Sequence, residues 1–290
     1  MHPFIELGNL KLQLYYPMFF IGFAAALLIA LTICRKYDVR ERFGISKKDV
    51  FGISLYGGIG LYVVAKFFFF LTRMPEVFSD LNGFKTRFDA DLPGTLDFLF
   101  GGMVFYGGLI GFLIGMLIYS RQNRIEFFKL ADFTAPFIPL VHAIGRVGCF
   151  FNGCCYGTEY HGFFAVNYPY STVEPELSAV PRFPVQLVET GLNVLCFTVL
   201  IYMLIISMRK GDKKKIEKDK KSDKAVSGRL LGIYLAYYII VRFILEFFRA
   251  DEIRGMIGVL STSQVISILL IPITVWLLVR KKQQKGRFCD

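Results

Sequence analysis

Residues 15–33 read YYPMFFIGFAAALLIALTI, nineteen positions without a charge. The hydrocarbon core of a bilayer is ~30 Å thick and asks about twenty apolar residues of a helix that crosses it. Apolar blocks of similar length recur at 50–72, 98–119, 128–150, 186–207, 230–248 and 261–279. Hydrophobic residues make up 54% of the 290, and Phe alone occurs 31 times. A soluble domain of this size has no interior able to hide that much apolar surface in unbroken blocks. The expectation is an all-α polytopic membrane protein of about seven transmembrane helices. The fourth block is the weakest, because Asp132, Pro136, Pro139, His142 and Arg146 interrupt it. Interrupted spans are tolerated where they line a cavity rather than lipid.

The net charge of +11 raises the question of a nucleic-acid partner, and its distribution answers it. Of the 34 Lys and Arg, 24 fall in one alternate set of connections, 7 in the other, and Lys66, Arg146 and Arg242 lie inside blocks. This is the positive-inside pattern, with the N-terminus outside, the C-terminus cytoplasmic and an odd number of spans. The basicity therefore reports topology and anionic membrane lipid, with no nucleic acid among the partners. Residues 1–14 lack a basic leader region, so no cleavable signal peptide is expected. The chain reads as a single membrane-embedded domain over 1–290, with a Lys-rich cytoplasmic loop at 208–229 and an outer loop at 152–185. The 73–97 connection is the other long one on the outer side. No internal repeat is evident, which argues against a transporter. Gly107, Gly111 and Gly115 are spaced by four, a pattern that lets helix backbones approach closely.

Ionisable groups inside spans cost about 2.5–3.5 kcal/mol on insertion scales, so each one is a candidate functional residue. The expected topology places Tyr15, Lys66, Tyr106, the His142/Arg146 pair and the Arg242/Glu246/Arg249 set in the outer half of the membrane, on five different helices. Singly, each has a structural explanation: Lys66 and Arg249 can snorkel, Tyr15 can sit in an aromatic belt, and Arg242 and Glu246 can neutralise one another. Their shared depth favours a common site. Three cations facing one evident carboxylate suggest a bound anion, and arginine suits phosphate through its two-pronged donor geometry. A phosphate in the outer leaflet points to a phospholipid.

The densest stretch is HAIGRVGCFFNGCCYG at 142–157. It resembles the GRxGNFxNxExxG signature of prolipoprotein diacylglyceryl transferases. FGGMVFYGGLIG at 100–111 is similar to that family's GGMxFHGGLIG segment, and RFPVQLVE at 182–189 to its RxPxQLYE segment. GRLLGIYLAYYIIVRFILEFFR at 228–249 resembles its last long motif, with Tyr238, Arg242, Glu246 and Arg249 in register, and LSTSQVIS at 260–267 its short Gln-containing stretch. The resemblance implies transfer of the diacylglyceryl group from phosphatidylglycerol to the lipobox cysteine thiol of a bacterial prolipoprotein, releasing glycerol phosphate. It implies no metal or other cofactor. The partners are phosphatidylglycerol, prolipoprotein signal peptides and membrane lipid. The location is the bacterial plasma membrane, with the active site toward the outer leaflet. Arg146, Arg242, His142, Tyr106 and Glu246 are the expected catalytic residues. Tyr15, Lys66, Asn152, Gly157, Gln186, Tyr238 and Arg249 are the expected substrate-binding ones.

The chain also departs from the pattern it resembles. Tyr106 stands where the motif has histidine, and Cys149 and Cys154 stand where the signature has Asn and Glu. Lys66 replaces an arginine. A tyrosine with an ordinary pKa near 10 is a poor base at neutral pH. His142, one turn before Arg146, is the alternative base. Cys149, Cys154 and Cys155 with His142 are soft metal donors, yet adjacent cysteines are awkward tetrahedral partners and no paired CxxC exists, so the expectation is no metal. A disulfide and plain space-filling are the other readings of the cysteines. Two further functions share the arginine set: a paralogous phospholipid-using transferase with another acceptor, and a non-catalytic phospholipid-binding membrane protein.

Overall fold

The computed structural model describes residues 4–7, 10–102, 104–169, 180–209, 228–250 and 256–280. A hairpin of β1 (Phe4–Leu7) and β2 (Leu10–Gln13) precedes helix α1 (Tyr15–Lys36). There follow α2 (Val39–Phe43), α3 (Lys47–Ser79), α4 (Leu81–Ala90), α5 (Leu92–Phe100) and α6 (Phe105–Gln122). Then come α7 (Phe127–Thr134), α8 (Phe137–Asn152), α9 (Val185–Arg209) and α10 (Arg229–Leu245), the last prolonged by a 3-10 turn at Glu246–Phe248. A short hairpin of β3 (Met256–Ile257) and β4 (Leu260–Ser261) leads into α11 (Thr262–Val279).

Helices stand at all seven expected blocks. Among the described residues, five are long and apolar enough to cross a membrane (α1, α3, α9, α10 with its 3-10 turn, and α11), and the bent pair α7/α8 makes a sixth. Large apolar side chains such as Phe20, Leu28, Leu55 and Trp276 are exposed, as lipid-facing positions must be. The multi-pass, all-helical reading therefore holds. The Lys-rich 210–227 stretch lies outside the described residues.

Three local expectations change. The third block, read as one helix over 98–119, is broken, because α5 ends at Phe100 and α6 begins at Phe105, and Gly101 and Gly102 just after α5 weaken helical propensity. The Val104 N–H then donates to the Ala65 carbonyl at 3.3 Å. The 73–97 connection is helical rather than a loop: α3 continues through Pro75, and Asp80 and Asp91 cap α4 and α5 by accepting from the Gly83 and Gly94 N–H groups at 2.8 and 3.0 Å. The fourth block is split at 135–136 into α7 and α8, which meet at 43°. Pro136 supplies the break, since it removes a helical donor and crowds the preceding turn.

The chain divides into two compact units, residues 39–130 and residues 1–38 with 131–290. In the first, α3 and α6 pack along glycines. A Cβ on Gly111 would lie 2.0 Å from the Gly60 carbonyl oxygen, and one on Gly60 would lie 2.1 Å from that of Gly111. Only bare backbone fits there, so the four-residue glycine spacing is packing, as small residues provide in membranes. In the second unit α8 packs between α1 and α9, and α10 between α9 and α11. The buried Asp132 of α7 accepts from the Gly228 and Leu231 N–H groups at 2.7 and 3.1 Å, capping the start of α10. Its role is thereby structural.

Candidate active site

In the second unit the C-terminal ends of α8 and α10 meet the N-terminal ends of α9 and α11, and the ionisable residues gather at that end. His142 and Arg146 are one turn apart on α8. From α9, the polar residues Gln186, Glu189 and Asn193 recur at helical spacing and are all buried, so they form one polar stripe in an otherwise apolar helix. Thr190, on the same face, donates to the Ala143 carbonyl of α8 at 3.3 Å.

Glu189 is the hub. Its side chain is 3% exposed, with Oε1 3.2 Å from His142 Nε2 and Oε2 2.9 Å from Arg146 Nε. Arg242 Nη1 stands 3.9 Å from the same Oε2. The Arg146–Glu189 approach is a charge contact that falls short of an aligned hydrogen bond, and Arg242 Nη1 likewise lacks a hydrogen-bonding acceptor. Arg242 Nη2 is better satisfied, at 2.9 Å from Ser263 Oγ and 2.8 Å from Glu246 Oε2. Arg249 Nη1 lies 4.0 Å from Glu246 Oε2. Among the described residues, three arginines thus face two buried carboxylates, with Arg242 and Arg249 buried and Arg146 half-buried, where desolvation makes each charge strong. The Tyr238 ring is 6.3 Å from that of His142.

The expected Arg242–Glu246 pair is present, and so is the convergence of His142, Arg146, Arg242, Glu246, Arg249 and Tyr238. Glu189 and Ser263 are the residues the sequence reading misses. Glu189 closes the quoted RFPVQLVE segment, and its three- and four-residue spacing from Gln186 and Asn193 is the signal that finds it. With Glu189 counted, the acidic side of the site holds two carboxylates rather than one.

Other expected site residues have structural engagements. Gln186 is fully buried; its amide donates to the Cys154 carbonyl at 2.7 Å and accepts from the Tyr168 hydroxyl at 3.0 Å. Burial pushes the Tyr168 phenol up to about 12, so it stays a neutral donor. Gly157 lies where backbone segments meet: its N–H donates to the Phe183 carbonyl at 3.2 Å, and a Cβ there would lie 2.4 Å from that oxygen and 2.9 Å from the Phe248 carbonyl. The neighbouring Thr158 N–H donates to Phe248 at 2.9 Å, and the Ala250 N–H to Tyr156 at 3.2 Å. The signature is thereby stitched to the backbone on either side of Arg249, and this part of the 152–185 connection is ordered by backbone pairing. Lys66, in the other unit, donates to the Phe100 carbonyl at the end of α5 and faces the Tyr62 ring at 5.7 Å. Tyr15 opens α1 and Tyr106 lies in the first turn of α6; their side chains lie outside the described residues.

Beyond α8 the chain turns sharply. Gly153 (φ 68°) ends the helix in the left-handed region, and Cys155 (φ 59°) enters it again. The turn gathers three free thiols, Cys149, Cys154 and Cys155, whose Sγ atoms lie within 4.8 Å of one another. Asn152 is a hydrogen-bonding neighbour of Cys154, and the Arg146 and Arg249 guanidiniums act on Cys155.

The sequence model of the prolipoprotein diacylglyceryl transferase family matches residues 3–280. A relative named phosphatidylglycerol–prolipoprotein diacylglyceryl transferase 2, from Clostridium perfringens (strain 13 / Type A), is 29% identical over 268 residues, covering 92% of this chain and 90% of that protein. A phosphatidylglycerol–prolipoprotein diacylglyceryl transferase of Clostridium tetani is 28% identical, covering 93% of this chain and 94% of that protein. One from Legionella pneumophila (strain Paris) is 29% identical, covering 94% and 93%.

Proposed function

The chain belongs to the prolipoprotein diacylglyceryl transferase family, and on that premise we propose that it moves the diacylglyceryl group of phosphatidylglycerol onto the lipobox cysteine thiol of a prolipoprotein. The observation that carries this reading is the Arg146/Arg242/Arg249 cluster, two of its members buried, gathered around Glu189 and Glu246 inside a bundle of membrane-spanning helices. A phosphodiester head group is the anion that such a cluster of guanidiniums suits, through their two-pronged donor geometry. The acceptor thiolate attacks the glycerol carbon that bears the phosphodiester oxygen. A carbon–sulfur bond forms, the carbon–oxygen bond breaks, and its electron pair leaves on glycerol phosphate. Arg146 and Arg242 hold the phosphate and offset the charge that grows on it, an effect strongest in a preorganised, water-poor site.

His142 is assigned as the base. Glu189 grips one imidazole nitrogen at 3.2 Å, which orients the ring and steadies it once it takes the thiol proton. Tyr238 and Asn152 line the glycerol side. Gln186 and Gly157 shape the signature corner rather than touch substrate. The 24-to-7 division of basic residues supports a site in the outer half of a bacterial plasma membrane, with the N-terminus outside.

The test is transfer of label from radiolabelled phosphatidylglycerol to a lipobox peptide by purified protein. Arg146→Ala and His142→Ala are expected to lose activity by about a hundredfold or more, while Tyr106→Phe keeps it. Unlabelled peptide from the wild type, with phosphatidylglycerol still bound, would sink the assignment.

A further inference from the structure

We propose that Cys149, Cys154 and Cys155 form a three-thiolate site for a zinc-class cation whose open fourth position takes the acceptor's thiol. The part that names the acceptor rests on the transferase reading above. The cation site itself stands on the geometry.

Three observations carry it. The three Sγ atoms already lie within 4.8 Å of one another. A tetrahedral zinc with ~2.3 Å bonds to sulfur spaces its ligands by about 3.8 Å, so no pair has to close by more than about 1 Å on binding. Second, the turn that brings them together is a costly one. A non-glycine residue in the left-handed region carries about 1–2 kcal/mol of strain, and Cys155 holds that conformation two residues after Gly153. The strain is held in place from outside the turn, by the buried Gln186 amide on the Cys154 carbonyl. The adjacency that makes Cys154 and Cys155 awkward partners in the sequence is what this turn overcomes. Third, Cys149 is buried while Cys154 and Cys155 are partly exposed, so the cluster lies at the edge of the buried interior rather than sealed within it. Three protein ligands with a free position are the pattern of a catalytic rather than a structural zinc, and thiolates select zinc over the harder cations. A zinc on three thiolates carries one net negative charge, which Arg146, one turn before Cys149 on α8, offsets.

The chemistry suits sulfur alkylation. The acceptor thiol binds the cation as thiolate and its proton passes to His142. The metal-held sulfur then attacks the glycerol carbon, the carbon–oxygen bond breaks, and glycerol phosphate leaves with the electron pair. The product thioether is neutral and a weaker ligand, so it departs and reopens the position. In a chain with Tyr106 in place of a histidine base, a cation that lowers the thiol's proton affinity does part of the work of that base.

Cobalt(II) is the probe, added to full-length protein purified in detergent, chemically reduced and freed of metal. The expected result is one cobalt per chain, a thiolate-to-cobalt charge-transfer band that zinc abolishes by displacement, and loss of that band in Cys154→Ser and Cys155→Ser but not in Cys196→Ser. A lipobox peptide is expected to shift the cobalt's visible bands, whereas its Cys→Ser version leaves them alone. Absence of the band in reduced wild type overturns the site, as does its survival in both serine variants. A spectrum indifferent to the peptide thiol overturns the open-position role. The wild type with and without zinc, which needs no variant to fold, is then compared for label transfer, and metal removal is expected to slow it by about a hundredfold. Full transfer by metal-free protein overturns the metal's part and leaves the transferase reading intact. No transfer by zinc-loaded protein whose cobalt form answers to the peptide upholds the site and removes the phosphatidylglycerol reading instead.

Discussion

The α3/α6 pair and the α8/α9/α10 cluster solve the problem of holding helices together in lipid by opposite means. Along α3 and α6 the side chains are deleted, and the backbones touch at Gly60 and Gly111. Among α8, α9 and α10 the side chains are long and charged, and Glu189 is shared by His142, Arg146 and Arg242. Lipid tails are as apolar as leucine, so burying apolar surface gives no preference for helix over lipid, and association must come from close contact or from polar partners. The glycine seam is cheap to build and chemically inert. The charged cluster is expensive, because each ion leaves water at a cost of several kcal/mol, and such groups persist where function requires them. The comparison separates parts of the chain that fix shape from parts that hold a reaction.

The widest separation between the two is expected on removing the shared carboxylate. Glu189→Ala leaves the buried Arg242 and the half-buried Arg146 facing each other's charge, and unfolding in detergent should show a loss of about 3–5 kcal/mol together with loss of transfer. A cost under about 1 kcal/mol would mean the arginines find other partners and that the charged cluster is no more structural than a surface pair. On the other side, Gly111→Leu forces a side chain against the Gly60 carbonyl. Overpacking of this kind costs about 2–3 kcal/mol, and transfer per folded molecule should stay at the wild-type rate. An activity loss larger than the folding loss would place the seam in the reaction after all.

The apolar blocks were legible because a bilayer imposes one length on every helix that crosses it. Shared placement at one end of the bundle was legible for His142, Arg146 and the Arg242/Glu246/Arg249 set, since charges in apolar helices are conspicuous. Glu189 was hidden by its position: it follows Pro184 and Gln186 at a helix start, where a carboxylate is unremarkable until the buried Asn193 shows the stripe continuing. The break before α6 was hidden because Gly101 and Gly102 are compatible with a helix as well as a bend. The cysteine cluster was hidden for a sharper reason. Adjacent side chains diverge in a helix or a strand, and only the positive φ at Cys155 brings these two to one place. No composition rule announces such a φ at a non-glycine residue.

A smaller effect tests the link between the two kinds of region. Gln186 is uncharged, yet it supports the corner on which Cys154 sits. Gln186→Leu keeps the volume and strands the Cys154 carbonyl and the Tyr168 hydroxyl, for about 1–2 kcal/mol. The corner should also loosen, so Cys154 should react faster with an alkylating reagent than in the wild type. Unchanged reactivity would show that the turn holds itself.

The smallest expected effect concerns a charge outside the cluster. Asp132 is buried like Glu189, yet its partners are the backbone N–H groups of Gly228 and Leu231 rather than arginines. Those donors belong to the first turn of α10, where unpaired N–H groups and the helix dipole both favour a negative charge. Asp132→Asn retains one acceptor oxygen and places an NH₂ against the second N–H, so one of the two bonds is lost and the charge with it. A cap of this kind is worth about 1 kcal/mol, well below the cost of opening the Glu189 hub. The variant should unfold at slightly lower denaturant and transfer label at the wild-type rate, because α10 still delivers Arg242 and Glu246 to the site. A loss as large as that of Glu189→Ala would mean that a buried carboxylate is valuable in this bundle whatever it faces, and the distinction between charges that fix shape and charges that hold a reaction would have to be drawn elsewhere.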